Sequence, residues 1–337
     1  MAIVTNTSTT YSVGTAGGNR EDLEDTIHEL FPDESFFSTN LAKVSASATY
    51  HEWLGDTLDA AASNIHREGN EFSADSLTDP VRYANYTQIV KKAFLISGTQ
   101  EIVAKAGRRS EVGRQAVRQM RAAKNDLEFA MVRNQAATAG GSATGRSMAS
   151  METWIGATTA SSSAATQVVL ATSAATGTTP PIASGAPGTA PTDDDGGTVT
   201  TAALTEASLK LALESNYNQG STTDVIAVNA TAKNYINAFT GVATRNVDVG
   251  REAQASITGA ADLYVSNFGV HRVVLHRHIR TSVALCLDTD MWAIATLRPW
   301  AMEDRARTGD AEKKEILCEK TLVCRNPKGN AKVICIG

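Results

Sequence analysis

Residues 82–135, RYANYTQIVKKAFLISGTQEIVAKAGRRSEVGRQAVRQMRAAKNDLEFAMVRNQ, carry a β-rich run directly into a long basic helical pattern. The first part, 82–96, is rich in Tyr, Thr and Ile and reads as a strand. Upstream, 46–54 (ASATYHEWL) alternates as an exposed strand does. Together they predict an out-and-back hairpin. Its connection, 55–81, is polar and punctuated by Gly55, Gly69 and Pro80. A hairpin of this length is marginal in water, so something outside it must pack on it. An enzyme rarely needs such an arm; a subunit that completes itself on its neighbours does.

Ser97-Gly98-Thr99-Gln100 fits the S-x-x-Q capping box. Apolar or small residues follow at 102/103, 106, 112, 116/117, 120, 123, 127 and 130/131, a helical stripe. One helix over 99–135 would span roughly 55 Å. Along it Lys105, Arg108, Arg109, Arg114, Arg118, Arg121, Lys124 and Arg133 outnumber Glu101, Glu111, Asp126 and Glu128. That leaves two readings of this face: a solvated surface with i,i+4 pairing, or a surface turned toward nucleic acid or acidic neighbours.

Composition sets outer bounds. At 337 residues the chain can hold two domains or one elaborated domain. A net charge of −5 argues against tight binding of nucleic acid by bulk charge. No apolar run reaches the ~18 residues that span a membrane, and MAIVTNTSTTYSVG lacks the basic and apolar regions of a secretory signal. Cys286, Cys318, Cys324 and Cys335 show no CxxC spacing and read as small buried apolar residues of a cytoplasmically assembled protein.

Residues 1–18 form a Thr/Ser/Gly-rich arm. Asn19 can cap a short helix over 20–30, with Glu21 and Asp22 in its first turn, stopped by Phe31-Pro32. Ser35-Phe36-Phe37 then offers an apolar anchor. Residues 157–203 are almost wholly Ala, Thr, Ser, Gly and Pro and hold four of the eight prolines, a low-complexity insertion expected on a surface. From Thr205 the pattern predicts helices at 205–217 and 230–239. Strands are expected at 223–229, 262–266, 270–279, 282–287, 291–298, 312–325 and 331–336. Helix and strand interleave, so the class is α+β.

Chemical motifs are weak. Gly107-Arg108-Arg109-Ser110-Glu111-Val112-Gly113-Arg114-Gln115 has five spacers where a phosphate loop has four, and Arg-Gln replaces Lys-Ser/Thr. His276 and His278 share a predicted strand face and could both ligate a metal, with no evident third ligand. Asp193-Asp194-Asp195-Gly196 lacks the EF-hand spacing and reads as a solvated turn. There is no G-x-S-x-G, H-E-x-x-H or Rossmann fingerprint, so no catalytic residue or cofactor is expected.

Several short stretches, in this order, resemble the SU10-type tailed-phage major capsid proteins, a family with the HK97 fold. They are Gly18-Asn19-Arg20-Glu21-Asp22-Leu23, Tyr50-His51-Glu52-Trp53, Asn85-Tyr86-Thr87-Gln88, Ser97-Gly98-Thr99-Gln100 and Ala106-Gly107-Arg108. Two more are Arg307-Thr308-Gly309-Asp310 and Glu319-Lys320-Thr321-Leu322. The resemblance implies an N-terminal arm (1–45), an extended loop (46–97) and a peripheral domain with a spine helix (98–148). An axial domain (149–299, including 157–203) and peripheral strands (300–337) would follow.

It further implies a virion shell subunit, assembled in the host bacterial cytoplasm into hexamers and pentamers around double-stranded DNA. Its partners would be a portal protein at one vertex, with scaffolding and decoration proteins, and no membrane. Inter-subunit contacts are expected at Phe36, Phe37, Tyr50, Trp53, Arg67, Glu68, Arg108 and Arg109, and genome-facing charge at Arg114, Arg118, Arg121 and Lys124. Some capsids of this fold crosslink through a lysine of the extended loop. No lysine lies between Lys43 and Lys91, so no such crosslink is expected. The competing readings are an encapsulin-like compartment enclosing a cargo enzyme, a metal-dependent enzyme using His276 and His278, and a decoration or tail protein.

Overall fold

The computed structural model describes residues 35–56, 58, 61–71, 79–105, 107–155, 157–161, 168–172, 203–239, 263–334 and 336, with backbone alone for 157–161 and 168–172. The first half contains α1 (Phe36–Asn40), β1 (Ala42–Ser45), β2 (Tyr50–Gly55), β3 (Val81–Tyr86), β4 (Gln88–Ser97), α2 (Gly98–Ile102), α3 (Glu111–Val132) and α4 (Met151–Trp154). Next come β5 (Ala157–Ser161), β6 (Val168–Thr172), α5 (Glu206–Asn218), β7 (Val225–Val228) and α6 (Ala230–Asn237). The chain continues with β8 (Leu263–Ser266), β9 (Gly269–Leu275), β10 (Ala284–Leu287), β11 (Trp292–Arg305), β12 (Ala311–Cys324) and β13 (Ala331–Ile334). The expected helix over 20–30 lies outside the described residues.

Two sheets organise the chain. A four-stranded sheet runs β1-β11-β12-β4, and a seven-stranded one runs β5-β6-β13-β10-β7-β9-β8. The spine helix α3 lays Ala123, Leu127, Ala130 and Met131 on the first sheet, against Val90, Ile294, Cys318 and Leu322. On the second sheet, Leu209, Leu213 and Ile236 of α5 and α6 cover Ile226, Val228, Val273 and Val333. The opposite face joins the core beneath α3 and α4 through Ala227 and Leu285. Apolar strands buried on both faces, such as β7, β10 and β13, are what the centre of a covered sheet requires. Among the described residues, no helix is long and apolar enough to cross a membrane.

Several expectations need correction. The single helix over 99–135 is two helices. Ser97 caps α2 as read, with Gln100 N donating to its Oγ at 3.3 Å, but the chain turns extended at Val103 and passes through Gly107 at φ +69°, where a side chain would be strained. Ser110 then caps α3, accepting from Gly113 N at 3.1 Å. The Glu101 carboxylate takes the free amides of Glu111 (2.9 Å) and Val112 (3.3 Å). The break is therefore a satisfied junction, and α3 spans about 33 Å.

The predicted return strand 82–96 also divides. β3 pairs with β2 from Tyr50↔Tyr86 to Gly55↔Val81, whereas β4 leaves the hairpin and pairs antiparallel with β12 from Ser97↔Ala311 to Gln88↔Lys320. The outgoing strand starts at Tyr50, not Ala46, and Ala42–Ser45 forms an unexpected strand parallel to β11. β9 stops at Leu275, short of 279, which takes His276 and His278 off a strand face. β13 pairs with β10 and β6, so the terminal strand closes the seven-stranded sheet rather than the four-stranded one. Trp292–Pro299, expected with the axial part, begins β11 of the four-stranded sheet. Two stretches of the 157–203 insertion join the seven-stranded sheet: β6 pairs antiparallel with β13, and β5 with β6.

Candidate assembly interface

Among the described residues the quoted stretches at 50–53 and 85–88 pair, 85–88 reaches 319–322, and 97–100 meets 307–310, whereas 18–23 lies outside them. Trp53 of β2 donates its indole N–H to Cys324 O at 2.9 Å, and its ring lies 5.5 Å from that of Trp154. Tyr83 closes the group 6.4 Å from the same ring. Asn85 is buried and reads two strangers at once: its amide donates to Leu322 O (2.8 Å) and Ala149 O (3.3 Å), while its Oδ1 accepts from Ala149 N (2.9 Å). At the other end of the chain's quoted stretches, Gly98 N donates to Asp310 O across the start of β12 at 3.3 Å. Gly309 turns there at φ +77°. The base of the hairpin is thus fixed inside its own subunit.

Thr87, between β3 and β4, is the point where the backbone changes partner. Its N–H donates to Thr49 O at 2.8 Å and its hydroxyl to Glu319 Oε1 at 2.6 Å. Arg146 Nη2 reaches the same carboxylate at 2.5 Å and Arg298 Nε its second oxygen at 3.1 Å. Burial pushes the Glu319 carboxyl up, but the Thr87 hydrogen bond and the two guanidinium groups outweigh it and hold it below the usual carboxylate range. This hinge latch was not read from the sequence, because its four members come from four separate segments.

Beyond the base the loop is exposed. Leu58 is 100% and Ile65 89% exposed. These apolar side chains, isolated in the polar connection 55–81, were missed as contact candidates, although an apolar residue in such a setting is itself a signal. Arg67 and Glu68 are exposed on the same loop. Tyr50 and Trp53 are half-buried and pack within the subunit. Phe36 is partly buried beneath the Arg272 guanidinium, 5.5 Å from its ring. Phe37 is fully buried, which leaves it no surface to offer a neighbour. Arg108 is tied to Glu111, and Arg109 is exposed. On α3, Arg114 pairs with Glu111 at 3.2 Å, while Arg118, Arg121 and Lys124 are exposed.

The geometry gives the metal reading no support. His276 Nδ1 accepts from His278 N at 3.3 Å, so Nε2 carries the proton that reaches the buried Glu128 Oε1 at 3.1 Å. Both ring nitrogens are committed, and no group of three metal-binding side chains occurs among the described residues. Glu128 also accepts from Phe37 N (2.6 Å) and Ser38 N (2.9 Å), anchoring α1 to the spine. The thiols fit the apolar reading: burial pushes Cys286 and Cys318 up to about 12 and Cys324 well above its ordinary value. Cys335 lies outside the described residues.

A spine helix on a four-stranded sheet, a hairpin projecting from it and a second sheet domain define the architecture of HK97-type capsid subunits. Solved structures share it. The chain is similar to the Cyanophage A-1(L) capsid asymmetric unit, with a TM-score of 0.65 and 15% identity over 97% of this chain and 99% of that one. It is also similar to the capsid of a native GTA particle, at TM-score 0.60 and 12% identity over 97% and 98%. Over 122 residues it is 29% identical to the major capsid protein of Escherichia phage Phieco32, a match covering 36% of this chain and only 35% of that relative's length. The family model for the SU10 major capsid protein matches residues 3–336. The chain belongs to the SU10 major capsid protein family, and neither the encapsulin-like nor the enzyme reading finds support.

Proposed function

We propose that this capsid protein assembles with itself into hexamers and pentamers of an icosahedral phage shell around double-stranded DNA, by overlap rather than by chemistry. The observation that carries the reading is the contrast within the extended loop. Its base is held by Trp53, Asn85 and Thr87, while Leu58 and Ile65 stand exposed, without cover among the described residues. A projecting loop with exposed apolar groups fits a neighbouring subunit, and many such modest contacts sum through multivalency. Arg67, Glu68 and Arg109 would flank that overlap. On α3, Arg118, Arg121 and Lys124 would face the packaged DNA, with the charge of Arg114 already paired to Glu111. Portal, scaffolding and decoration proteins complete the expected partners, with assembly in the host cytoplasm.

The test is a double substitution, Leu58→Asp with Ile65→Asp. The subunit should stay folded by circular dichroism, because both side chains are exposed, yet sediment as free subunits instead of shells. Shells forming at the normal yield would sink the overlap reading. Boiled particles should also run on a denaturing gel as intact 35.6 kDa subunits, whereas a ladder of covalent oligomers would refute assembly without crosslinks.

A further inference from the structure

His271 on β9 is buried, 1% exposed, yet its ring is held by three separate pieces of chain. Its Nδ1 lies 2.7 Å from Thr223 O, at the entry to β7. A carbonyl only accepts, so Nδ1 carries a proton and donates it there. Its Nε2 lies 2.6 Å from the Ser266 hydroxyl, at the turn between β8 and β9. Tyr264 of β8 stacks on the ring, with centroids 6.2 Å apart. The imidazole thus fastens the β8–β9 hairpin to the next strand inward. β8 is the edge of the seven-stranded sheet and pairs over only four residues, Leu263–Ser266.

The Ser266 hydroxyl responds to the charge on Nε2. While the ring is neutral, Nε2 has a lone pair and accepts the hydroxyl proton. Ser266 Oγ itself accepts from Phe268 N at 3.0 Å. Once Nε2 takes a proton it becomes a second donor to that oxygen, and the hydroxyl must turn to Gly269 O, 3.4 Å away. The new charge meets no carboxylate against the ring among the described residues. Asp224, before β7, attracts it, but its carboxylate already accepts from Thr289 N at 2.9 Å and from the Thr289 hydroxyl. On the helices that cover this face, Glu206 accepts from the Tyr264 hydroxyl at 3.3 Å and pairs with Lys210, and α6 adds Lys233, a like charge. Arg272 lies on the other face, over Phe36. Burial disfavours the charged ring, the Thr223 bond and Asp224 oppose this, and burial prevails, so the imidazole titrates below its ordinary 6.5.

We propose that His271 is a proton-sensitive pin: as a neutral ring it fastens the β8–β9 hairpin to β7, and on taking a proton it lets this edge of the sheet loosen. A freed ring takes its proton at about 6.5 and the pinned ring only below that, so the pin is fully effective above 6.5 and weakens as pH falls. The device is internal to one subunit and independent of the assembly reading.

Hydrogen–deuterium exchange of the purified unassembled subunit, read by mass spectrometry and corrected for the intrinsic pH dependence of amide exchange, tests it. Protection of the peptides spanning 263–272 should fall by up to about tenfold per pH unit below 6.5, while the peptides of β12 keep theirs over the same range. Exchange at the imidazole C2 position in the same samples reads the titration of His271 directly, and its midpoint should lie below 6.5. His271→Asn keeps a donor for Thr223 O but does not titrate, so its hairpin should exchange without this pH dependence. Wild-type hairpin protection that stays flat as pH falls would overturn the proposal, as would a midpoint at or above 6.5. An equal fall in His271→Asn would assign the loosening to another group and overturn it too. If that variant's hairpin exchanges fully at every pH, the wild-type slope and midpoint decide alone.

Discussion

Trp154→Ala should lower the unfolding free energy of the unassembled subunit by about 3–5 kcal/mol, the usual cost of deleting a large buried aromatic. Trp154 is fully buried and is the surface on which Trp53 and Tyr83 of the hairpin base rest. Its removal opens a cavity between the loop and the body of the subunit, so the loss should appear at the loop first. Urea unfolding followed by near-ultraviolet circular dichroism measures the first effect. Protease cleavage in 55–81 at subdenaturing urea measures the second. The indole N–H of Trp154 has no hydrogen-bond partner among the described residues. Trp154→Phe, which keeps most of the ring and removes that unmatched donor, should therefore retain most of the stability. If the alanine variant unfolds at the wild-type midpoint, the stacked base does not hold the loop.

The second large effect concerns Glu319→Gln. Removing the charge of a buried carboxylate that serves two partly exposed arginines and a threonine hydroxyl should cost about 1.5–3 kcal/mol, the range for hydrogen bonds to a charged group. The sign of the pH dependence follows from the direction of the shift. Because the folded carboxyl titrates below its unfolded value, its stabilisation is complete above the unfolded pKa of about 4.3 and disappears as pH falls through the folded one. Other lowered carboxyls, such as Glu101, Glu111 and Glu315, share this trend. The informative quantity is therefore the wild-type minus variant difference in urea midpoint, large at pH 7 and shrinking in the window below about pH 4.3. A difference that stays constant across that window would show that Glu319 acts through shape and not charge.

What the sequence made legible is local. The period-2 alternation before Trp53, the capping box at Ser97 and the long β12 pattern each depend on neighbours within a turn or a strand, and each appears at or near its expected place. The break in the spine was also written locally, in Gly107, Ser110 and the gap in the apolar stripe between Ala106 and Val112. β1 was not legible because its four residues owe their structure to Ala293–Thr296, some 250 positions away. The Glu319 latch is hidden for the same reason. Phe37 was read as an external anchor because its partners, Glu128 and His276, lie 91 residues or more downstream. Sequence patterns tell which residues want cover, but not whether the cover is their own.

The division of one run of backbone at Thr87 has a mechanical consequence. The chain that leaves the loop tip continues, without an intervening turn, into ten residues laddered to β12. A pull on the tip along β4 is thus carried lengthwise into that ladder, where its hydrogen bonds are loaded together in shear. The two-stranded stem formed by β2 and β3 would instead open one pair at a time, like a zipper. The arm that reaches outward is a tendon rooted in the strongest part of the sheet, and the latch at Glu319 sits where the tendon meets bone.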